Sequence, residues 1–387
     1  MTRPMRIAIC CHSVNPRGGV AHGLALGEAL AALGHDPCVF APDPEGRGFF
    51  RTARCETFAF PARPVPRGDV AALVAARVGD YVAALDEKTL ARFDLFHAQD
   101  GISGNALATL KDRGALPKFA RTVHHVDDFR DPRVSALQHR AIVAADAHFV
   151  VSRLWRDQFR LRDGLEAAIV GNGVDRARFS PAPDGREAAL RVRLGLTGTP
   201  VVLSVGGVEP RKNTVRLLGA FAQLRKLLPG AQLVVAGGAT LLDHGATARE
   251  FEAALASTGL PPDAVRAVGA LPDADMPALY RIADVLAFPS VTEGFGLAAL
   301  EALASGLPAV VSSIAPFTDY LAPDDAAFCD PLSEASIANA LVAALSEPLR
   351  SRLAERGPQV AERFDWRRVA EAHLPTYRRL SAEPAYA

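Results

Sequence analysis

A short apolar run, a turn, an amphipathic stretch and another short apolar run form a cycle that fills this chain and restarts once near its middle. In the first half the pattern predicts strands at Arg6–Cys11, Pro37–Ala41, Leu95–Ala98, Phe119–His124, Ala147–Val151 and Ala168–Val170. Helices are expected between them, at Val20–Leu33, Val70–Asp86, Asn105–Asp112, Pro132–Ala144 and Ser152–Phe159. The cycle resumes with strands at Val201–Val205, Ala231–Ala236, Val265–Val268, Val285–Phe288 and Ala309–Ser312, again with helices between them. Strands that alternate with helices must run mostly parallel, under helices on both faces. The expected class is therefore α/β, with two Rossmann-like domains facing across a cleft. The turn Gly171-Asn172-Gly173-Val174-Asp175 closes the first half, and Pro181–Gly185 reads as a linker. The expected division is 1–175, 176–365, and a closing helix, 366–387, that returns to the first domain.

Composition excludes several other classes. At 387 residues the chain exceeds one ordinary core and suits two. Forty-three basic residues balance forty-three acidic ones, so no bulk field draws nucleic acid. The five cysteines are odd in number and form no CxxC pair, which suggests neither a disulfide framework nor a zinc knuckle. No stretch reads as a signal peptide or a membrane-spanning helix. The expectation is a cytoplasmic protein.

The functional signature lies where strands end. After Val285–Phe288 comes Glu293-Gly294-Phe295-Gly296-Leu297, leading into an Ala/Leu helix that carries Glu301. Packing does not call for two glycines between two carboxylates. The glycines let a ligand approach the backbone, and the free amides of a helix start favour an anion. Glu301 inside an apolar helix is expensive to bury without a partner, and a ribose diol would supply one. After Val201–Val205 comes Gly206-Gly207-Val208-Glu209-Pro210-Arg211-Lys212, whose two cations can hold a diphosphate, with Asn213 available to cap the next helix. In the first half, Gly18-Gly19 opens a helix after the first strand. It lacks the GxGxxG pattern, and Asp43 is poorly placed for a dinucleotide ribose, so this loop is a tight turn or a phosphate-facing one. His124 and His125 end a strand, where alternation points one of them toward the ligand face. A metal site built from them with Asp127 or Asp128 has no supporting spacing.

The ordered set of Gly18-Gly19, His124, the NGVD turn, GGVEPRKN at 206–213, Val268-Gly269, Pro277–Tyr280 and FPSVTEGFG at 288–296 with Glu301 resembles the retaining glycosyltransferases of family 4, which have the GT-B fold. The resemblance implies a nucleotide-diphosphate sugar donor on the second domain and a small-molecule, glycan or lipid-linked acceptor on the first, without metal or other cofactor. It implies His124, Arg211, Lys212 and Glu293 as catalytic groups. Donor contacts fall to Gly18, Gly19, Gly207, Arg211, Lys212, Gly269, Glu293, Gly294, Phe295, Gly296, Leu297 and Glu301. Retention would follow a front-side, ion-pair-like route in which the departing phosphate helps to remove the acceptor proton. The competing readings are a nucleotide-sugar epimerase or phosphorylase of the same form and a sugar-nucleotide sensor without turnover. The arginine-rich stretch 153–162 holds Trp155 and Phe159, and is expected to be a solvated face over core aromatics rather than a lipid-binding surface.

Overall fold

The computed structural model describes residues 3–65, 69–238 and 245–382. Contacts divide the chain into two compact units, one running to Gly173 and resuming at Trp366, the other spanning Val174–Asp365. In the first unit β1 (Arg6–Cys10), β2 (Asp36–Asp43), β3 (Glu56–Pro61), β4 (Leu95–Ala98), β5 (Ala120–Val123), β6 (Ala147–Val150) and β7 (Ala167–Ile169) form one sheet. Their order is β3-β2-β1-β4-β5-β6-β7, and every pairing is parallel. The central strands are buried along their length, as a sheet covered on both faces requires. The second unit repeats the plan with β8 (Val201–Val205), β9 (Gln232–Ala236), β10 (Val265–Gly269), β11 (Val285–Phe288), β12 (Ala309–Ser312) and β13 (Ala327–Cys329), in the order β10-β9-β8-β11-β12-β13. These pairings too are all parallel.

Each sheet reverses its direction of winding once, between β1 and β4 in the first unit and between β8 and β11 in the second. At such a switch point the flanking connections leave in opposite directions and open a crevice beyond the strands' carboxyl ends.

The closing helix, Trp366–Ala382, completes the first unit's core. Val369, Ala370, Leu374, Tyr377 and Leu380 share one cluster with Ile7, Ile9, Leu26 and Phe149. The Tyr377 hydroxyl lies 2.6 Å from Nδ1 of buried His97. Gly173 is required where the chain meets this helix, because a Cβ there would come within 2.6 Å of the Trp366 backbone nitrogen.

Several elements go beyond the sequence pattern, among them β3, β13, a helix at Glu187–Arg193 and the four-residue helices Glu87–Leu90 and Phe317–Tyr320. Pro181–Gly185 is not a free linker. Asp184 and Glu187 both bind Arg281 of the second unit, at 2.8 and 2.6 Å, which ties the segment down. Asn213 does stand at the N-cap of Thr214–Leu227, but it does not cap with its side chain. It lies at φ 60°, and its amide instead donates to the carbonyls of Pro289 and Pro331, at 3.0 and 2.6 Å. Asn213 thereby ties the loop after β8 to that after β11.

Candidate active site

In the second unit the predicted residues gather beyond β8 and β11, on either side of the switch point. Gly206 and Gly207 leave β8 at φ 124° and 78°, and both amides donate to the carbonyl of Ala236. A side chain at Gly206 would strike Lys212, whose Cε would lie 2.6 Å from the new Cβ. A single turn of 3-10 helix, Pro210–Lys212, then aims both cations at Glu293. Glu293 Oε1 accepts from Lys212 Nζ at 2.5 Å and from Arg211 Nη1 at 3.0 Å. Glu209, unassigned from sequence, holds Arg211 from the other side, its Oε2 3.2 Å from Nε. The ammonium of Lys212 also lies 4.1 Å from the centre of the Phe288 ring.

Burial sets the electrostatics of this cluster. It pulls the Lys212 ammonium down from the usual lysine value, against the attraction of Glu293. Burial pushes Glu293 up, but Lys212 and Arg211 outweigh it and the carboxylate ends below its ordinary value. The cations are therefore not free. They share a buried carboxylate, and an incoming diphosphate would have to compete with it.

Phe295 stacks on Tyr320 at 4.7 Å between centroids, and the Tyr320 hydroxyl donates to the Phe295 carbonyl. Gly294 is half-buried, and Gly296 takes φ 96° ahead of the helix Leu297–Ala304. Glu301, in the second turn of that helix, does have a protein partner: Tyr280 donates to its Oε2 at 2.7 Å. Burial still raises the Glu301 carboxyl to about 7, against the pull of Tyr280 and Arg178. Tyr280 lies on a different helix, Met276–Ile282, so spacing alone did not join the two. Gly269 ends β10 at φ 67° and is exposed, with open space where a side chain would stand.

In the first unit, helix Gly18–Ala32 starts at the glycine pair. Space is open at Gly18, while a Cβ on Gly19 would come within 3.3 Å of the His124 ring. His124, one residue past β5, is half-buried. Its Nε2 is 3.1 Å from Gln99 Oε1, and its ring packs edge-on against His22 at 4.8 Å. His125 is exposed and pairs with Asp127 at 3.2 Å. The strand end thus parts the two histidines, with His124 beside the glycine loop and His125 outside. Burial pushes His124 well below the usual histidine range, and the neighbouring His22 and Arg121 add to this. In the NGVD turn Asn172 reaches back to His22, Oδ1 to Nδ1 at 2.6 Å.

Two family models match the chain in succession, "Glycosyltransferase Family 4" over residues 16–178 and "Glycosyl transferases group 1" over residues 187–360. The D-inositol 3-phosphate glycosyltransferase of Saccharomonospora viridis is 30% identical over 345 residues, covering 83% of this chain and 78% of its own. The phosphatidyl-myo-inositol mannosyltransferase of Propionibacterium freudenreichii is 28% identical over 94% of this chain and 92% of its own. Among solved structures, sucrose-phosphate synthase from Thermosynechococcus elongatus superposes with a TM-score of 0.79 at 24% identity, over 98% of this chain and 99% of that one. Anabaena HepE, solved in complex with UDP-glucose, gives 0.75 at 18% identity, over 96% and 99%.

Proposed function

From the fact that this chain belongs to the GT-B glycosyltransferases of family 4, and so transfers a sugar from a nucleotide-diphosphate donor, we propose a metal-independent hexosyltransferase that retains anomeric configuration. The second domain takes the donor and the first takes the acceptor, a small molecule, a glycan or a lipid-linked hydroxyl. The observation that carries this reading is the ion-paired group of Arg211, Lys212 and Glu293, the last two buried, at the switch point of the second sheet.

A donor diphosphate arriving beside Arg211 and Lys212 replaces part of their interaction with Glu293. Glu293 is then freed toward the donor sugar, with the backbone of Gly294, Phe295 and Gly296. Glu301 accepts from the ribose hydroxyls through the oxygen that Tyr280 leaves open. Gly269 and Leu297 line the nucleotide, and Gly18, Gly19 and His124 meet the phosphates and the transferred sugar from the acceptor domain. As the anomeric C–O bond breaks, charge grows on the leaving phosphate, where Arg211 and Lys212 stabilise it most. No carboxylate is assigned as a covalent nucleophile. The departing phosphate oxygen accepts the proton of the acceptor hydroxyl as the new C–O bond forms on the same face. A chain so equipped would work in the cytoplasm, where nucleotide sugars are made.

The test is turnover of UDP-, GDP- and ADP-hexoses in chelator-treated buffer, with the anomer of the product read by NMR. An α-linked donor should give an α-linked product. A β-linked product would overturn retention, and failure of every donor to bind in calorimetry would overturn the donor assignment.

A further inference from the structure

The switch point of the first sheet carries a pair of its own. His12 lies two residues past β1, and Asp100 two residues past β4, so the two flank the crevice between the strands. In the second sheet the loops that follow β8 and β11 carry the Lys212–Glu293 pair of the donor site, further from their strand ends. Asp100 uses one oxygen as a helix cap, Oδ1 accepting from the Ser103 amide at 2.8 Å. Its other oxygen, Oδ2, is buried without a hydrogen-bond partner and lies 3.6 Å from His12 Nδ1. Both side chains are mostly covered, with exposures of 15% and 16%.

A buried carboxylate oxygen without a hydrogen bond is costly, and the charges that act on Asp100 are His12, at 3.6 Å, and the buried Arg121 guanidinium. The carboxylate faces Nδ1, so Nε2 lies on the far side of the ring from it. Among the described residues Nε2 of His12 forms no hydrogen bond. A ring nitrogen so placed can meet a hydroxyl, and the carboxylate behind the ring disfavours an anion there.

We propose that His12, oriented by Asp100, binds a hydroxyl of the acceptor, and that the acceptor presents a neutral polyol portion to this crevice. The inference rests on the first domain being the acceptor domain. His12 is a substrate contact, and Asp100 is a positioning residue that acts through it. Closure of the Asp100–His12 gap to hydrogen-bond length on acceptor binding would satisfy Oδ2.

The experiment uses the full chain, methyl α-glucoside as a neutral polyol probe, and a nucleotide-hexose that the enzyme hydrolyses slowly. Partition of the hexose between water and the glucoside separates acceptor binding from donor chemistry. In His12→Ala the transfer-to-hydrolysis ratio should fall about tenfold or more, the worth of one lost hydrogen bond, while donor hydrolysis stays within about twofold. Asp100→Asn keeps an oxygen for the helix cap and should shift the ratio in the same direction. His12→Gln, which can still accept, should recover part of the loss. An unchanged ratio in His12→Ala overturns the proposal. The ring resonances of His12 give a second reading that needs no turnover. They should move on titration with the glucoside in the parent and lose that response in Asp100→Asn. Turnover failing while the ring still responds would count against the glycosyltransferase reading alone, and a silent ring would overturn this proposal.

Discussion

Glu301 gives the donor site a pH dependence of definite sign. Burial holds its carboxyl near 7, above the ordinary glutamate value, so in the unliganded protein its contribution to stability is lost as pH rises through about 7. In the proposed donor complex, ribose hydroxyls donate to the ionised form and should lower that value on binding. Donor affinity should therefore rise as pH approaches 7 from below, with proton release near pH 6.5 visible by calorimetry in buffers of different ionisation enthalpy. Glu301→Gln should abolish the release, and Glu301→Ala should weaken donor binding by about 2–4 kcal/mol. Unchanged proton release in the Gln variant would remove Glu301 from the nucleotide. Arg211 and Lys212 should part company on substitution. Lys212 and Glu293 are nearly covered, at 8% and 6% exposure, so Lys212→Met strands a buried carboxylate and should cost about 3 kcal/mol in denaturant unfolding as well as activity. Arg211 is about one-third exposed, and Arg211→Ala should leave the fold intact while lowering kcat about 10²-fold. Equal losses of stability in both variants would contradict this assignment. These residues stand out in the sequence because charges and glycines gathered at strand ends are not what an apolar core selects. It concealed Glu209 as a clamp and Tyr280 as the partner of Glu301, since both roles depend on contacts between separate elements.

At the scale of elements, the helix that presents Glu301 depends on the backbone just before it. Gly296 lies at φ 96°, and a Cβ there would come within 2.6 Å of Phe317. Gly296→Ala should lower stability by about 1–3 kcal/mol through strain at that φ, with further loss from the clash, and should weaken donor binding by tilting the helix start. Thermal unfolding and donor titration read the two effects. Full affinity in the variant would detach the helix start from the donor. Strands in the middle of each sheet were legible because burial on both faces makes them continuous apolar runs. The edges were not. β3 is exposed along most of its length, β13 has only three residues, and neither needs an apolar run to pair on one side. The helix Glu187–Arg193, only seven residues long, is tied by ion pairs that local periodicity does not register.

At the scale of the whole molecule, Trp155 and Phe159 are buried in the first domain, and the arginines of their helix face outward. Arg156, Arg160 and Arg162 have acidic neighbours in Asp157, Glu166 and Asp163, which dilute any positive field. Among the described residues no helix is long and apolar enough to cross a membrane. Co-sedimentation with anionic vesicles should therefore find weak or no binding at moderate salt. Strong, salt-sensitive binding lost when Arg153, Arg156 and Arg160 are replaced together would instead make this helix a lipid contact. The closing helix has a different consequence, one of timing. Its residues fill the core of the first domain, yet the ribosome reaches them only after the entire second domain has been made. For on the order of 10–40 s at ordinary synthesis rates, the earlier domain must wait with one wall of its core open, beside a later domain already able to fold. The half of the protein that is born first is the last to be finished.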